Sequence, residues 1–294
     1  MKYVKTILKE EITVKKIVSI HYFEFAKDYI FEGEKHDFWE MVYVDRGEIE
    51  VMADTNGYRL RQSEIIFHKP NEFHNLWANG NIAPNVIVVA FECNSKAMDA
   101  FKNRIAAVHD FEKNLLAQIV KESRAAFSGY RLDPGYALKR KPEAAFGSEQ
   151  MIKINIEYFL LSLERRAAGL KSESRLSSAV KERSDEDSVN KIITYLNENI
   201  GKDLKFDDIR RYSMLCKTSL SSTFKIRTGY SVMEYFRMLK IEEAKKIIRE
   251  EKLNFTEIAQ RLGYQSIHYF SRQFKNIANM SPSEYALSVK AKIL

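Results

Sequence analysis

Residues 268–275 place polar and basic side chains at spacings of three and four, as on one face of an α-helix. These residues are His268, Ser271, Arg272 and Lys275. Their imidazole, hydroxyl, guanidinium and ammonium groups can donate hydrogen bonds, and Arg272 and Lys275 carry positive charge. A polar helix face is most often simply solvated, so its meaning depends on the elements that position it.

A short helix is predicted immediately before this face. Asn254, with Glu257 three positions later, has the form of an N-cap and its reciprocal partner. Gly263 can supply the left-handed backbone of a helix C-cap, and Ser266 can cap the following helix. The apolar positions of the short helix are Phe255, Ile258, Ala259 and Leu262. The spacing is that of a helix-turn-helix.

The second helix has an apolar side formed by Phe270 and Phe274, and we expect Tyr269 to lie beside them on the buried side. Ser281 and Glu284 then form a capping box, which predicts a further helix that buttresses the pair. The helix-turn-helix therefore belongs to a larger packed unit.

This stretch resembles the signature of the AraC-type family of bacterial transcription regulators. The matching residues are Ile258, Ala259, Gly263, Tyr264, Ser266, Tyr269, Phe270, Arg272, Phe274, Lys275, Ser281, Pro282 and Tyr285. Asn279 stands where the family usually has glycine, and asparagine tolerates a left-handed backbone, so we expect the turn to be kept. The resemblance implies binding to double-stranded DNA and contact with RNA polymerase.

A similar helix pair is predicted about fifty residues upstream, over 206–212 and 217–227. Cys216 stands where the family usually has a serine cap, so the second of these helices is expected to begin less firmly. A long helix over 232–250 joins the two pairs. Two such units on one connector can enter successive major-groove segments about 34 Å apart.

The resemblance also implies which residues contact DNA. Arg272 is a candidate to pair with guanine, His268 to donate or accept at a base edge, and Ile267 to touch a thymine methyl. Phosphate binding or internal pairing is an equal alternative for Arg272, and Lys225 and Lys275 are expected to contact phosphate. The predicted DNA-binding set is Thr218, Ser221, Ser222, Lys225, Ile267, His268, Ser271, Arg272 and Lys275.

Charge and composition agree with a DNA partner. Residues 188–294 hold 19 Lys and Arg against 11 Asp and Glu, whereas residues 1–187 hold 28 against 29. The positive excess therefore belongs to the part that would neutralise phosphate. Two scattered cysteines, no recognisable signal peptide and no apolar run of the ~18 residues that span a bilayer predict a cytoplasmic protein without a membrane partner.

The first part of the chain has a different pattern. Short aromatic and β-branched runs alternate with turn signals over 14–92, as at 38–44, 48–53 and 86–91. This pattern favours an antiparallel β-barrel or jelly roll. It resembles the cupin-like sensor domain of many AraC-type regulators through His36, Glu40, Gly47, Pro70 and His74.

The resemblance places Glu34, His36, Glu40 and His74 where metal-binding cupins hold their ion, with Glu34 in place of the first histidine. A hydrogen-bonded histidine beside a glutamate needs no metal, so we predict structural or ligand-facing roles, no metal and no cofactor. A bound divalent metal is the alternative.

A small-molecule effector is expected in this part, and mixed aromatic and polar side chains would suit a carbohydrate or related metabolite. The predicted ligand-binding residues are His36, Phe38, Glu40, Phe67, His74, Trp77 and Phe91. Helices are predicted over 111–127 and 148–168. The second is apolar over more than one face, which favours a homodimer, with packing inside the domain as the alternative.

The predicted fold class is therefore α+β and multidomain. Residues 1–168 form a cupin-like antiparallel β-barrel or jelly roll with helices, for ligand sensing and dimerisation. Residues 169–187 form a linker, and residues 188–294 form an all-α DNA-binding domain with two helix-turn-helix units.

We interpret the chain as a sequence-specific transcription regulator controlled by a small molecule, and not as an enzyme. One alternative is a metal-dependent cupin enzyme that uses Glu34, His36, Glu40 and His74, with a DNA-localising module. Another is an architectural protein that binds DNA without sequence preference.

Overall fold

A computed structural model of the chain describes residues 3–128, 138–169 and 179–290. Two compact units divide the chain, Met1–Lys171 and Ser172–Leu294, and each is described by itself. Among the described residues, none of the helices combines the length and hydrophobicity that spanning a bilayer requires.

The first unit is built on two antiparallel sheets. Its strands are β1 (Lys16–Glu24), β2 (Ile30–Glu34), β3 (Trp39–Arg46), β4 (Glu48–Ala53), β5 (Asn56–Arg61), β6 (Glu64–His68), β7 (His74–Trp77), β8 (Asn85–Glu92) and β9 (Ile105–Ala107). One sheet has the order β1-β8-β3-β6-β9 and the other β2-β7-β4-β5. The predicted cupin-like antiparallel β-unit is confirmed.

Strand β3 separates two apolar cores because successive side chains of a strand point to opposite faces. Trp39 and Met41 pack with the helices of this unit. Val42 and Val44 pack with residues of both sheets, so their face lies between the sheets. Glu40 shares that inner face by parity, and it is buried there.

The helices of the first unit cover one face of the larger sheet. They are α1 (Asp110–Ala126), α2 (Ser148–Ala167) and a 3-10 helix (Lys96–Phe101), and the two-residue strands Phe127–Ser128 and Lys139–Arg140 pair beside them. Both long helices agree with the prediction to within about one residue. Ile152, Ile156 and Phe159 bury one side of α2 in the core shared with the sheet.

The second unit is helical. Its helices are α3 (Ala179–Glu198), α4 (Phe206–Ser213), α5 (Lys217–Thr228), α6 (Val232–Glu250), α7 (Phe255–Arg261), α8 (Ile267–Ala278) and α9 (Pro282–Lys290). The pairs α4–α5 and α7–α8 confirm the two predicted helix-turn-helix units.

Helix α3 departs from the prediction. It begins at Ala179, inside the predicted linker of residues 169–187, because Ala179, Lys181, Glu182, Arg183 and Glu186 are of types that favour helix without an apolar stripe. Residues 170–178 of the predicted linker lie outside the described residues, and the domain limits at 168 and 188 stay a prediction.

Candidate functional site

The second helix of each helix-turn-helix pair, α5 or α8, is called its recognition helix. Buried aromatic and aliphatic side chains hold both of these helices in place. Leu220 and Phe224 anchor α5, and Phe270 and Phe274 anchor α8, with no exposed surface on any of the four. Since each anchor pair occupies one side of its helix, the opposite side is left to solvent.

Helix α8 exposes most of its predicted DNA-binding residues. His268, Arg272 and Lys275 are exposed, whereas Ile267 and Ser271 are partly buried. The prediction that Tyr269 is buried is wrong: it is 42% exposed, because it lies at the edge of the apolar stripe, one residue before Phe270. The Arg272 guanidinium carbon lies 5.4 Å from the Tyr269 ring centroid, so the ring supports that cation.

Helix α5 exposes small hydroxyl groups. Thr218, Ser221, Ser222 and Lys225 are exposed. The Ser222 hydroxyl donates to the carbonyl of Thr218 at 2.8 Å, so its proton is already used inside the helix. Cys216 occupies the N-cap position without a capping hydrogen bond from its side chain, which agrees with the weaker start predicted for this helix.

A buried lysine joins the two helix-turn-helix units. The Lys240 ammonium, on α6, donates to the carbonyl of Lys202 at 2.8 Å and to that of Leu262 at 2.7 Å. Lys202 precedes α4 and Leu262 directly follows α7, so the Lys240 side chain binds both helix-turn-helix units. Burial lowers the pKa of Lys240, and the negative charge of Asp203 offsets part of that decrease.

Two glycines bring the same units into backbone contact. Gly263 has φ of +68°, and a Cβ there would lie 2.3 Å from the carbonyl oxygen of Gly201. A Cβ on Gly201 would lie 2.7 Å from the carbonyl oxygen of Arg261. We call Gly201, Lys240 and Gly263 the clasp. Because the two glycines bring the backbones together and Lys240 binds both, the clasp fixes α4–α5 relative to α7–α8.

Sequence reasoning did not find Lys240. A lysine in an amphipathic helix is normally assigned to the solvated face. The sequence signal that could have identified Lys240 as buried is its position on the apolar stripe of the helix, four residues after Phe236 and four before Ala244.

A second group of polar residues lies between the sheets of the first unit. Strand register pairs Glu34 with His74, across β2 and β7, and Glu40 with His68, across β3 and β6. One ligand atom from each of Glu34, His36, Glu40 and His74 lies within 4.8 Å of the others. The structure therefore brings together the four residues that the cupin resemblance singles out.

The charges in this group depend on one another. Burial raises the pKa of Glu40, but the facing imidazoles of His36 and His74 outweigh burial and lower that pKa to about 2. Burial lowers the pKa of His74, while Glu40 raises it, with a net increase. Burial and the charge of Glu40 raise the pKa of Glu34.

The structure does not assemble the seven predicted ligand-binding residues at one place. Phe38 stacks on His36 at 3.7 Å between ring centroids, close to Glu40 and His74. Phe67 and Phe91 pack instead in the core shared with α1 and α2. Trp77 alternates with the inward-facing Leu76 and lies on the outer face of the smaller sheet. Strand parity separates these three aromatic residues from the polar group.

Known proteins match both units. The family model of the AraC-like ligand binding domain matches residues 17–92, and that of a helix-turn-helix domain matches residues 214–288. The HTH-type transcriptional regulator YfiF of Bacillus subtilis is 24% identical over 262 residues, which cover 84% of this chain and 76% of that protein. The HTH-type transcriptional activator RhaR of Yersinia pseudotuberculosis is 29% identical over 101 residues, 34% of this chain and 35% of that protein.

Solved structures are also similar over most of the chain. ToxT from Vibrio cholerae is 17% identical, with 96% of this chain and 99% of that chain covered and a TM-score of 0.35. The fold, the paired recognition helices and the matched domains define a DNA-binding protein with a sensor domain. The chain is an AraC-type transcription regulator, with an N-terminal ligand-binding domain and a C-terminal helix-turn-helix domain.

Proposed function

We propose that this regulator reads one DNA site with both recognition helices at once and that a small polar molecule controls its binding. The observation that carries the proposal is the clasp, which holds α5 and α8 on one body while both keep polar faces exposed. Two recognition helices on one rigid connector suit successive major-groove segments. We further propose that the protein acts in the cytoplasm, contacts RNA polymerase and is not an enzyme.

Duplexes selected from a random pool test this function. The full-length chain is expected to bind a selected duplex about 10³-fold or more tightly than a scrambled one, with the ratio measured across a salt series. A ratio near one at every salt concentration would mean that the helices do not read sequence and would support an architectural role.

Arg272 is proposed to read a guanine, supported by the Tyr269 ring beside it. Arg272→Ala is expected to lose about 1–3 kcal/mol of binding and to relax the preference at one base pair, measured by competition among singly altered duplexes. Lys275→Ala is the control, because loss of a phosphate contact weakens all duplexes alike and reduces the salt slope by about one. Uniform loss with Arg272→Ala would assign that residue to phosphate.

The effector is proposed to be a carbohydrate or related polar metabolite bound near His36, Phe38, Glu40 and His74, which the structure places together. An effector can shift DNA binding only as far as its affinity differs between the two states of the protein. DNA affinity measured with and without each candidate metabolite tests this proposal.

Helix α2 is proposed to pair with a second copy of the chain. Met151, Ile154 and Tyr158 leave a second apolar stripe 43–49% exposed, and Phe111 of α1 contacts Tyr158 with ring centroids 5.2 Å apart. A contiguous exposed apolar surface favours a protein partner. Sedimentation equilibrium of the full chain measures whether it is a dimer.

A cupin enzyme is the second candidate, favoured by the four-residue group between the sheets. It requires turnover of a substrate at that group. The regulator is preferred because both matched relatives are transcription regulators.

A further inference from the structure

We propose that Glu34, His36, Glu40 and His74 form a binding site for one divalent transition-metal ion in the sensor domain. This departs from the sequence-based prediction, which assigned no metal. It does not depend on the proposed DNA recognition, since metal binding is measured directly on the protein.

The hydrogen bonds of the two histidines determine which nitrogen faces the site. Nδ1 of His36 lies 3.1 Å from the carbonyl oxygen of Phe38, and Nδ1 of His74 lies 3.1 Å from that of Glu72. A carbonyl oxygen only accepts, so Nδ1 carries the proton in each ring and donates it. In the neutral ring, Nε2 then presents an unprotonated lone pair.

Both Nε2 atoms point at carboxylates and are otherwise unsatisfied. Nε2 of His74 lies 3.4 Å from Glu40 Oε1 and 3.9 Å from Glu34 Oε1. Nε2 of His36 lies 3.8 Å from Glu40 Oε2 and 3.9 Å from Glu34 Oε1. Within the described part of the chain, both Nε2 atoms are buried without a hydrogen-bond partner. Lone pairs that face negative oxygens repel unless a proton or a metal ion lies between them.

Burial makes a compensating positive charge necessary. The side chains of His36, Glu40 and His74 are 10%, 9% and 3% exposed, so water screens their charges poorly. A buried carboxylate is costly unless a positive group compensates it. Two carboxylates, two neutral imidazoles and one divalent ion would together carry no net charge.

The spacing of the ligand atoms fits a metal centre. Bonds of about 2.1 Å in a tetrahedral site place ligand atoms about 3.4 Å apart. The four histidine–carboxylate distances given above are 3.4–3.9 Å, and all the ligand atoms lie within 4.8 Å of one another, so side-chain shifts alone would close the site. Two imidazole nitrogens with two carboxylate oxygens suit Zn²⁺, Fe²⁺ or Mn²⁺ rather than a cation that prefers oxygen alone.

Neighbouring residues support the histidines as they do in known metal sites, where the second ring nitrogen is hydrogen-bonded. Glu72 accepts from His74 through its backbone, and its carboxylate lies 3.0 Å from Nδ1 of the buried His68. The His68 ring stacks on that of His74 at 4.2 Å between centroids. This packing holds the His74 ring in the orientation that the site requires.

Cobalt binding tests the proposal. Tag-free full-length protein, stripped with a chelator, is expected to take up one Co²⁺ per chain with visible absorption bands. Glu34→Gln keeps the shape of a partly exposed side chain and is expected to weaken binding about 100-fold or more. His74→Ala is expected to abolish it. Zn²⁺ is expected to raise the Tm of the wild type but not of these variants.

The controls are Glu50→Gln, a carboxylate on the neighbouring strand β4, and His109→Ala, a histidine at the start of α1. Both should bind Co²⁺ like the wild type. Equal binding by all variants would identify an adventitious surface ion and overturn the site. Absence of stoichiometric Co²⁺ from the folded wild type would also overturn it and would mean that protonated histidines compensate Glu40.

Discussion

Gly263→Ala is expected to destabilise the DNA-binding unit by about 2–5 kcal/mol. The left-handed φ of +68° costs any residue with a Cβ about 1–2 kcal/mol. The remainder comes from the new methyl group, which would lie 2.3 Å from the Gly201 carbonyl oxygen and must push the two backbones apart.

The matched control is Gly229→Ala. Gly229 ends α5 with φ of +80°, but among the described residues no atom lies within 4 Å of the position of its Cβ. The control therefore carries the conformational cost alone. Equal losses in the two variants would show that the contact between Gly201 and Gly263 contributes nothing.

Urea denaturation measures these losses of stability, provided that the spectroscopic signal followed comes from the second unit. Both tryptophans, Trp39 and Trp77, lie in the first unit, so their fluorescence reports on that unit. The ellipticity of the helices reports mainly on the second. Gly263→Ala should shift the helical transition and leave the tryptophan transition in place.

Lys240→Met is expected to cost about 2–4 kcal/mol. The methionine fits a similar volume but leaves the carbonyls of Lys202 and Leu262 without their donor. Each buried acceptor left unsatisfied costs about 1–3 kcal/mol, partly offset because the buried charge is also removed.

Lys246→Met is the control on the same helix. Lys246 pairs with Glu243 at 3.4 Å near the surface, where an ion pair contributes about 0–1 kcal/mol. Combining Lys240→Met with Gly263→Ala should cost less than the sum of the two, since both disrupt one contact. Full additivity would mean that the two residues act separately.

Much of the second unit could be predicted because its signals are local. The side-chain oxygen of Asn254 accepts from the backbone nitrogen of Glu257 at 3.0 Å, and the backbone nitrogen of Asn254 donates to the Glu257 carboxylate at 2.7 Å. Ser231 and Glu234 form the same box at the start of α6, and Asn279 has the expected left-handed φ of 59°. Each motif lies within four residues of sequence, so no tertiary information is needed.

The remaining features depend on contacts distant in sequence. Phe67 has the composition of a pocket residue, but only the layering of sheet against helix shows that it faces α1 and α2. The acceptors of Lys240 lie 38 and 22 residues away. The tautomers of His36 and His74 follow from backbone carbonyls that no sequence pattern marks.

The clasp also has a consequence for how the operator can evolve. One base pair inserted between the two recognised segments rotates the second about the DNA axis by roughly 35° and displaces it by about 3.4 Å. A flexible connection would follow that change, but two helix-turn-helix units held together by the clasp cannot. If both helices read one operator, as proposed, base substitutions can therefore accumulate gradually, whereas the helical phasing of the operator must be inherited intact.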